Sequence, residues 1–160
     1  LFPFQLFEKI SLESLQAGLS WRTVLEKRSA FRQCFDQFNY HKIAQYDSEK
    51  IKSLLENPAI IRHQKKILAI VHNAKIAVQI EKEYGSFSKF IWQSPPPSSQ
   101  QTYRAPPDEA QQLVKRLKTH QWKFIGITTG YAFMQAAGLI NDHDKNCPVR
   151  KTILQLNNNP

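Results

Sequence analysis

A chain of 160 residues with 41% hydrophobic content, ten Phe, three Trp and five Tyr is not a disordered polymer and suits a single packed domain. No stretch reaches the ~20 consecutive apolar residues of a membrane span, and two cysteines give no disulfide framework, which fits a reducing, cytoplasmic setting. Lys and Arg total 22 against 13 Asp and Glu, a formal charge of +9 that points to a polyanionic partner, nucleic acid ahead of a membrane surface.

Leu6, Ile10 and Ala17 set the first helical register, and Glu13 falls within it. A helix here turns a carboxylate toward the face that should be buried, and a Gly-Leu-Ser-Trp break follows at once. On the pattern alone, Glu13 is either a carboxylate reaching out from a helix edge or one held in an apolar pocket beside Trp21. Val24, Phe31, Phe35 and Phe38 then recur at steps of seven, four and three, predicting one helix over residues 21–38 with an aromatic stripe. Ile51, Leu54 and Leu55 mark a short helix ended near Pro58. Ile67, Ile70, Val71, Ala74, Ala77 and Val78 follow the amphipathic template closely and give the most secure helix of the chain. Arg62, His63, Lys65 and Lys66 open it. The cluster is either a solvated first turn or, because positive charge is unfavourable at a helix N-terminus, one that a partner such as a DNA phosphate could compensate. Ser86 caps a short helix carrying Phe87, Phe90 and Ile91.

"QSPPPSSQQTYRAPP", residues 93–107, cannot support a helix interior and reads as an exposed connection or hinge. Pro107, Asp108 and Glu109 open the next helix, whose buried face is Ala110, Leu113, Val114 and Leu117. A turn over residues 121–126, with Gly126 at its sharpest point, leads into a helix through Ile127, Tyr131 and Met134 that stops at Gly138. Backbone N–H groups at such a turn can face a phosphate, and Lys115, Arg116, Lys118 and Lys123 supply charge nearby. In "NDHDKNCPVR", residues 141–150, His143 and Cys147 stand four apart. On a helical turn they could reach one metal, half of a tetrahedral zinc set; the alternative is a polar loop His and an unrelated Cys. No run alternates at period two, so the fold class is all-α, in one domain over 1–160.

Six segments carry a family resemblance: "LFEKISLESLQAGLSWRTVLEKR", "FDQFNYHKIA", "IIRHQKKILAIVHNAK", "FSKFIW", "WKFIG" and "YAFMQAAGLINDH". In this order the chain resembles the 3-methyladenine DNA glycosylase I family, a branch of the helix-hairpin-helix glycosylases, over nearly its whole length except the Pro-rich loop. The resemblance implies two helical groups with a base pocket between them. It implies a monofunctional enzyme of base excision repair that flips out and hydrolytically excises 3-methyladenine from alkylated double-stranded DNA. By the same resemblance, Glu13 is the pocket carboxylate that reads the damaged base, Trp21 is the pocket aromatic, and Gly18 and Leu19 wedge into the duplex. The turn holding Lys123 and Gly126 grips DNA, with Arg62 and Lys65 as a second basic contact. His143 and Cys147 match two of four ligands of a structural zinc, and the chain starts after the family segment that holds the other two ligands and pocket tyrosines. Asp142 is the nearest counterpart of a catalytic Asp in related glycosylases, on which this branch does not rely. A bacterial-type cytoplasmic monomer with no membrane partner is expected. The competing reading is a non-catalytic helix-hairpin-helix module that grips only DNA backbone, and Glu13 separates the two, because such a module has no use for a buried carboxylate.

Overall fold

The computed structural model describes residues 2–93, 106–144, 146–150 and 152, and the regular structure among them is entirely helical. The connection expected over 93–107 lies outside the described residues except at its two ends. Helix α1, Pro3–Gln16, opens on a proline in its first turn, where a missing N–H costs nothing. It runs through the middle of the molecule, with Leu6, Phe7, Ile10 and Leu15 fully buried and Glu8, Ser11, Glu13 and Ser14 nearly so. A helix buried on most of its circumference must have its polar side chains answered, and that requirement organises much of the site.

The single helix expected over 21–38 is instead three pieces: α2, Trp21–Glu26; α3, Arg28–Cys34; and one 3₁₀ turn, Asp36–Phe38. The chain breaks at Lys27, whose ammonium donates to the carbonyls of Pro58 and Ala59 at 3.2 and 3.1 Å. It breaks again at Asp36, Gln37 and Phe38, which hold φ of 49°, 56° and 56°. The aromatic stripe survives both breaks. Val24, Phe31, Phe35 and Phe38 are all fully buried, and the rings of Phe35 and Phe38 stack at 5.9 Å.

Helix α4, Tyr40–Ile43, and α5, Ser48–Glu56, lead to the long α6, Gln64–Tyr84. Asp47 caps α5 by accepting from the Lys50 N–H at 2.8 Å, and Gly85 ends α6 in the left-handed region at φ 82°. Ser86 caps α7, Phe87–Trp92, as expected. Beyond the undescribed stretch, α8, Asp108–Thr119, and α9, Ile127–Ala137, form an antiparallel pair. Their axes approach closely at Gly130, where an added Cβ would fall 2.3 Å from Val114 Cγ2. Helix α1 packs on α9 to one side and on α6 and α7 to the other. Among the described residues no helix is long and apolar enough to cross a membrane.

Candidate functional site

The end of α1, the turn after it and the start of α2 bring Glu13 and Trp21 to one cavity of about 400 Å³. Leu12 of α1, Leu25 of α2 and Ala132 and Ala136 of α9 complete its apolar wall, with Lys9 and Arg28 at the rim. Trp21 is 38% exposed and presents a free aromatic surface. Glu13 is 5% exposed, and among the described residues its carboxylate makes no hydrogen bond and no ion pair. Burial raises its pKa to about 7, with the Lys9 charge opposing the shift more weakly.

Glu8, five residues earlier on α1, is as deeply buried and behaves in the opposite way. Its carboxylate accepts from Arg28 Nε at 2.8 Å and from Arg32 Nε and Nη2 at 2.7 and 2.9 Å. Burial alone would raise its pKa, but the hydrogen bonds and charge of the two guanidinium groups more than offset that and lower it. One carboxylate on this helix is fully satisfied, and the other is left open to the cavity.

Gly18 and Leu19 form the tip of the exposed turn that joins the two helices. Gly18 sits at φ 83°, a conformation that strains any residue with a Cβ. The turn is closed by Leu19 N–H donating to Gln16 O at 2.7 Å and Gln16 Nε2 donating to Leu19 O at 2.8 Å. Ser20 caps α2 through the Thr23 N–H at 3.1 Å.

Arg62 and Lys65 are exposed just before and within the first turn of α6. Lys66 is not. It is 7% exposed and turns inward, its Nζ donating to the carbonyls of Leu15 and Ala17 at the end of α1. For Lys66 the charge at this helix start is therefore met by backbone carbonyls within the protein, neither by solvent nor by a phosphate.

In the turn between α8 and α9, the left-handed positions are Gln121, φ 63°, and Phe124, φ 53°. Gly126 is extended and serves as the N-cap of α9, so the sharpest point lies earlier than the glycine suggests. Trp122 anchors this turn by stacking on Phe87 at 5.6 Å and meeting Phe7 edge-on at 5.9 Å. Lys123 is exposed at its crest. Lys115 and Lys118 also face solvent, whereas Arg116 lies over the Phe90 ring at 4.9 Å.

His143 Nδ1 and Cys147 Sγ are 3.7 Å apart, and both residues lie outside the helices. A tetrahedral zinc with Zn–S of about 2.3 Å and Zn–N of about 2.0–2.1 Å sets its S···N edge near 3.6 Å, so this pair fits a shared ion. Among the described residues no third His, Cys, Asp or Glu joins them. Asp142 is tied to α9, accepting from Tyr131 Oη and from Gln135 Nε2, and does not line the Glu13 cavity.

Two features that hold the turns in place, the inward reach of Lys66 and the whole of Asn73's role, escape sequence reasoning. The available signal is a polar pair at positions 66 and 73 along an otherwise apolar face of α6.

A methyladenine glycosylase family model matches residues 3–151 of the chain. The chain is 44% identical over 153 residues to a DNA-3-methyladenine glycosylase of Haemophilus influenzae, covering 91% of this chain and 83% of that protein. A crystal structure of a Glu-to-Gln variant of 3-methyladenine DNA glycosylase I from Staphylococcus aureus superimposes with a TM-score of 0.86 at 39% identity, over 92% of this chain and 83% of that one. A Tyr-to-Phe variant of 3-methyladenine DNA glycosylase I, in complex with 3-methyladenine, gives a TM-score of 0.81 at 38% identity, over 93% and 84%.

Proposed function

The chain belongs to the methyladenine glycosylase family and excises 3-methyladenine from alkylated DNA, and from that premise we propose that the cavity between Glu13 and Trp21 receives the extruded base. Methylation at N3 leaves adenine cationic, so the leaving group already carries the charge that an acid catalyst would otherwise provide. The protein is left with extrusion, recognition and admission of a water to a sugar that becomes oxocarbenium-like. A π-face suits an electron-poor purine, and Trp21 supplies one. A carboxylate accepts from the amino edge of the base and favours its cationic form, and Glu13 supplies that.

The observation that carries this reading is the buried carboxylate of Glu13, unpaired among the described residues, facing a cavity with an apolar wall and Lys9, Arg28 and Gln135 along its lining. Such a group costs stability and is retained where a cation is to be bound. Gly18 and Leu19 are then the wedge that fills the space left by the base. Lys123 and Gly126, in a helix-hairpin-helix arrangement, contact backbone phosphates together with Arg62 and Lys65. His143 and Cys147 supply two of the four ligands of a structural zinc, and the metal content of the protein against its Cys147→Ser variant checks that assignment. A monomer acting in a bacterial-type cytoplasm completes the reading.

The decisive experiment is release of 3-methyladenine from methylated duplex, followed by chromatography, for the protein and for Glu13→Gln. Loss of one charge-assisted hydrogen bond predicts a fall in kcat/KM of about 10- to 100-fold, with duplex binding retained. Equal kcat/KM for the two proteins would remove Glu13 from the reaction.

A further inference from the structure

Buried polar side chains of a single helix join the two turns assigned to the duplex. Lys66 and Asn73 stand seven residues apart on α6, about two helical turns along one face, and are 7% and 4% exposed. Lys66 Nζ donates to Leu15 O at 2.8 Å and to Ala17 O at 2.5 Å. These are carbonyls that a helix C-terminus leaves without intrahelical partners, and they lie directly before Gly18 and Leu19. Two turns further along, Asn73 Nδ2 donates to Lys123 O at 3.0 Å and its Oδ1 accepts from Lys123 N–H at 2.8 Å. The adjacent His72 donates from Nε2 to Gln121 O at 2.9 Å. Gln121 and Phe124 on either side of Lys123 hold positive φ, which side-chain-bearing residues keep only where their surroundings impose it.

We propose that Lys66 and Asn73 are positioning residues that fix the separation of the Gly18–Leu19 turn and the Gln121–Gly126 turn, so that both engage one stretch of duplex at once. The proposal rests on the reading that these two turns face DNA. An ammonium and an amide are costly occupants of a helix face that otherwise packs Ile67, Ile70 and Ala74. Burial lowers the pKa of Lys66, which records that cost. Apolar residues of similar size would pack there more cheaply, but they would leave the Leu15 and Ala17 carbonyls and the Lys123 N–H and carbonyl without these partners, while Ser14 Oγ still donates to Phe124 O at 3.0 Å. Register between the turns is needed to extrude a base from a stack, whereas the cavity alone suffices to hold the free base. Duplex excision and free-base affinity should therefore part company when register is lost.

Lys66→Met and Asn73→Leu test this, each keeping volume and removing the hydrogen bonds. Single-turnover excision from methylated duplex should fall about tenfold in each, while the affinity for free 3-methyladenine changes less than about twofold. Each variant is then combined with the turn residue through which it acts, Lys66→Met with Leu19→Ala and Asn73→Leu with Lys123→Ala. A positioning role predicts that the double variant excises no worse than the turn variant alone, because the lost register has nothing left to present. Losses that multiply, or base affinity that falls in parallel with excision, would mark a general structural role and overturn the proposal. Unchanged duplex excision in Lys66→Met and Asn73→Leu would overturn it as well. If Leu19→Ala and Lys123→Ala themselves leave excision intact while the parent protein releases base, the underlying reading of the turns fails and the proposal with it. The two cycles are independent, so the Asn73 cycle decides alone should Lys66→Met not fold.

Discussion

A buried carboxylate that accepts no hydrogen bond keeps its proton longer than one in water, and burial raises the pKa of Glu13 to about 7 against the weaker opposing charge of Lys9. Its folded pKa lies above the ordinary value of 4.5, so ionisation adds no cost to its burial well below pH 4.5, where the folded and unfolded states both hold the proton. The cost accrues as pH rises toward 7 and stays constant above it, at about 3 kcal/mol. Glu13→Gln should therefore gain on the parent protein in thermal stability as pH rises, by little near pH 4 and by several degrees at pH 8.5, read by calorimetry across pH. The same titration has a kinetic signature. If the ionised group recognises the cationic base, kcat/KM on methylated duplex falls about tenfold per pH unit below pH 7 and is flat over that range in Glu13→Gln. Glu8 shows the reverse sign. Its folded pKa is depressed, so the stability it contributes is present above the unfolded pKa and is lost as pH falls through the folded one. Glu8→Gln is expected to cost about 1–3 kcal/mol at pH 7 and progressively less in acid, measured by urea unfolding. Helical spacing put Glu13 on the buried face, but spacing carries no information on partners. Glu8 meets two guanidinium groups from 20 and 24 residues downstream, and Glu13 meets none.

Helix α8 is held against α9 by the absence of a side chain. A Cβ on Gly130 would lie 2.3 Å from Val114 Cγ2, so Gly130→Ala must push the helices apart. Overpacking of this kind costs about 1–3 kcal/mol, offset in part by the roughly 1 kcal/mol that Ala gains over Gly inside a helix. Removing the opposing methyl groups should reverse the effect. Val114→Ala with Gly130→Ala is expected to melt above Gly130→Ala alone, and a double variant that melts lower would show that the contact is not the cause. Because the pair carries the Gln121–Gly126 turn, the single variant should also bind duplex more weakly. The element boundaries legible in the sequence were those with local chemistry. Ser86 accepts from the Lys89 N–H, and Gly138 adopts positive φ where its helix ends. The boundaries at Lys27 and Asp36 were not legible, because what breaks the chain there is distant. Lys27 is drawn to carbonyls of residues 58 and 59, and the aromatic stripe keeps its burial across both breaks. Apolar spacing recorded which side chains go inside and was silent on whether one rod or three pieces put them there.

At the scale of the whole molecule, the excess of +9 was plain in the composition, but its distribution was not. Arg62 and Lys65 are exposed and stand in sequence just before the buried Lys66 that is bonded to the end of α1. Lys123 belongs to the turn bonded to Asn73 on the same helix. Charges remote in sequence are thus joined through α6, while others sit elsewhere: Lys52, for instance, is exposed on α5 at 3.9 Å from Glu56. Each cation that neutralises a phosphate releases counterions, so the slope of log K against log salt measures how many take part, at about 0.9 per contact on duplex. Arg62→Gln, Lys65→Gln and Lys123→Gln should each weaken binding to unmethylated duplex and lower the magnitude of that slope by about one. Lys52→Gln removes the same formal charge and should leave the slope unchanged. If all four variants shift it equally, the net charge acts as a diffuse field and the footprint drawn around α6 is wrong. If only the first three shift it, the DNA-facing surface is the one that α6 assembles from three distant parts of the chain.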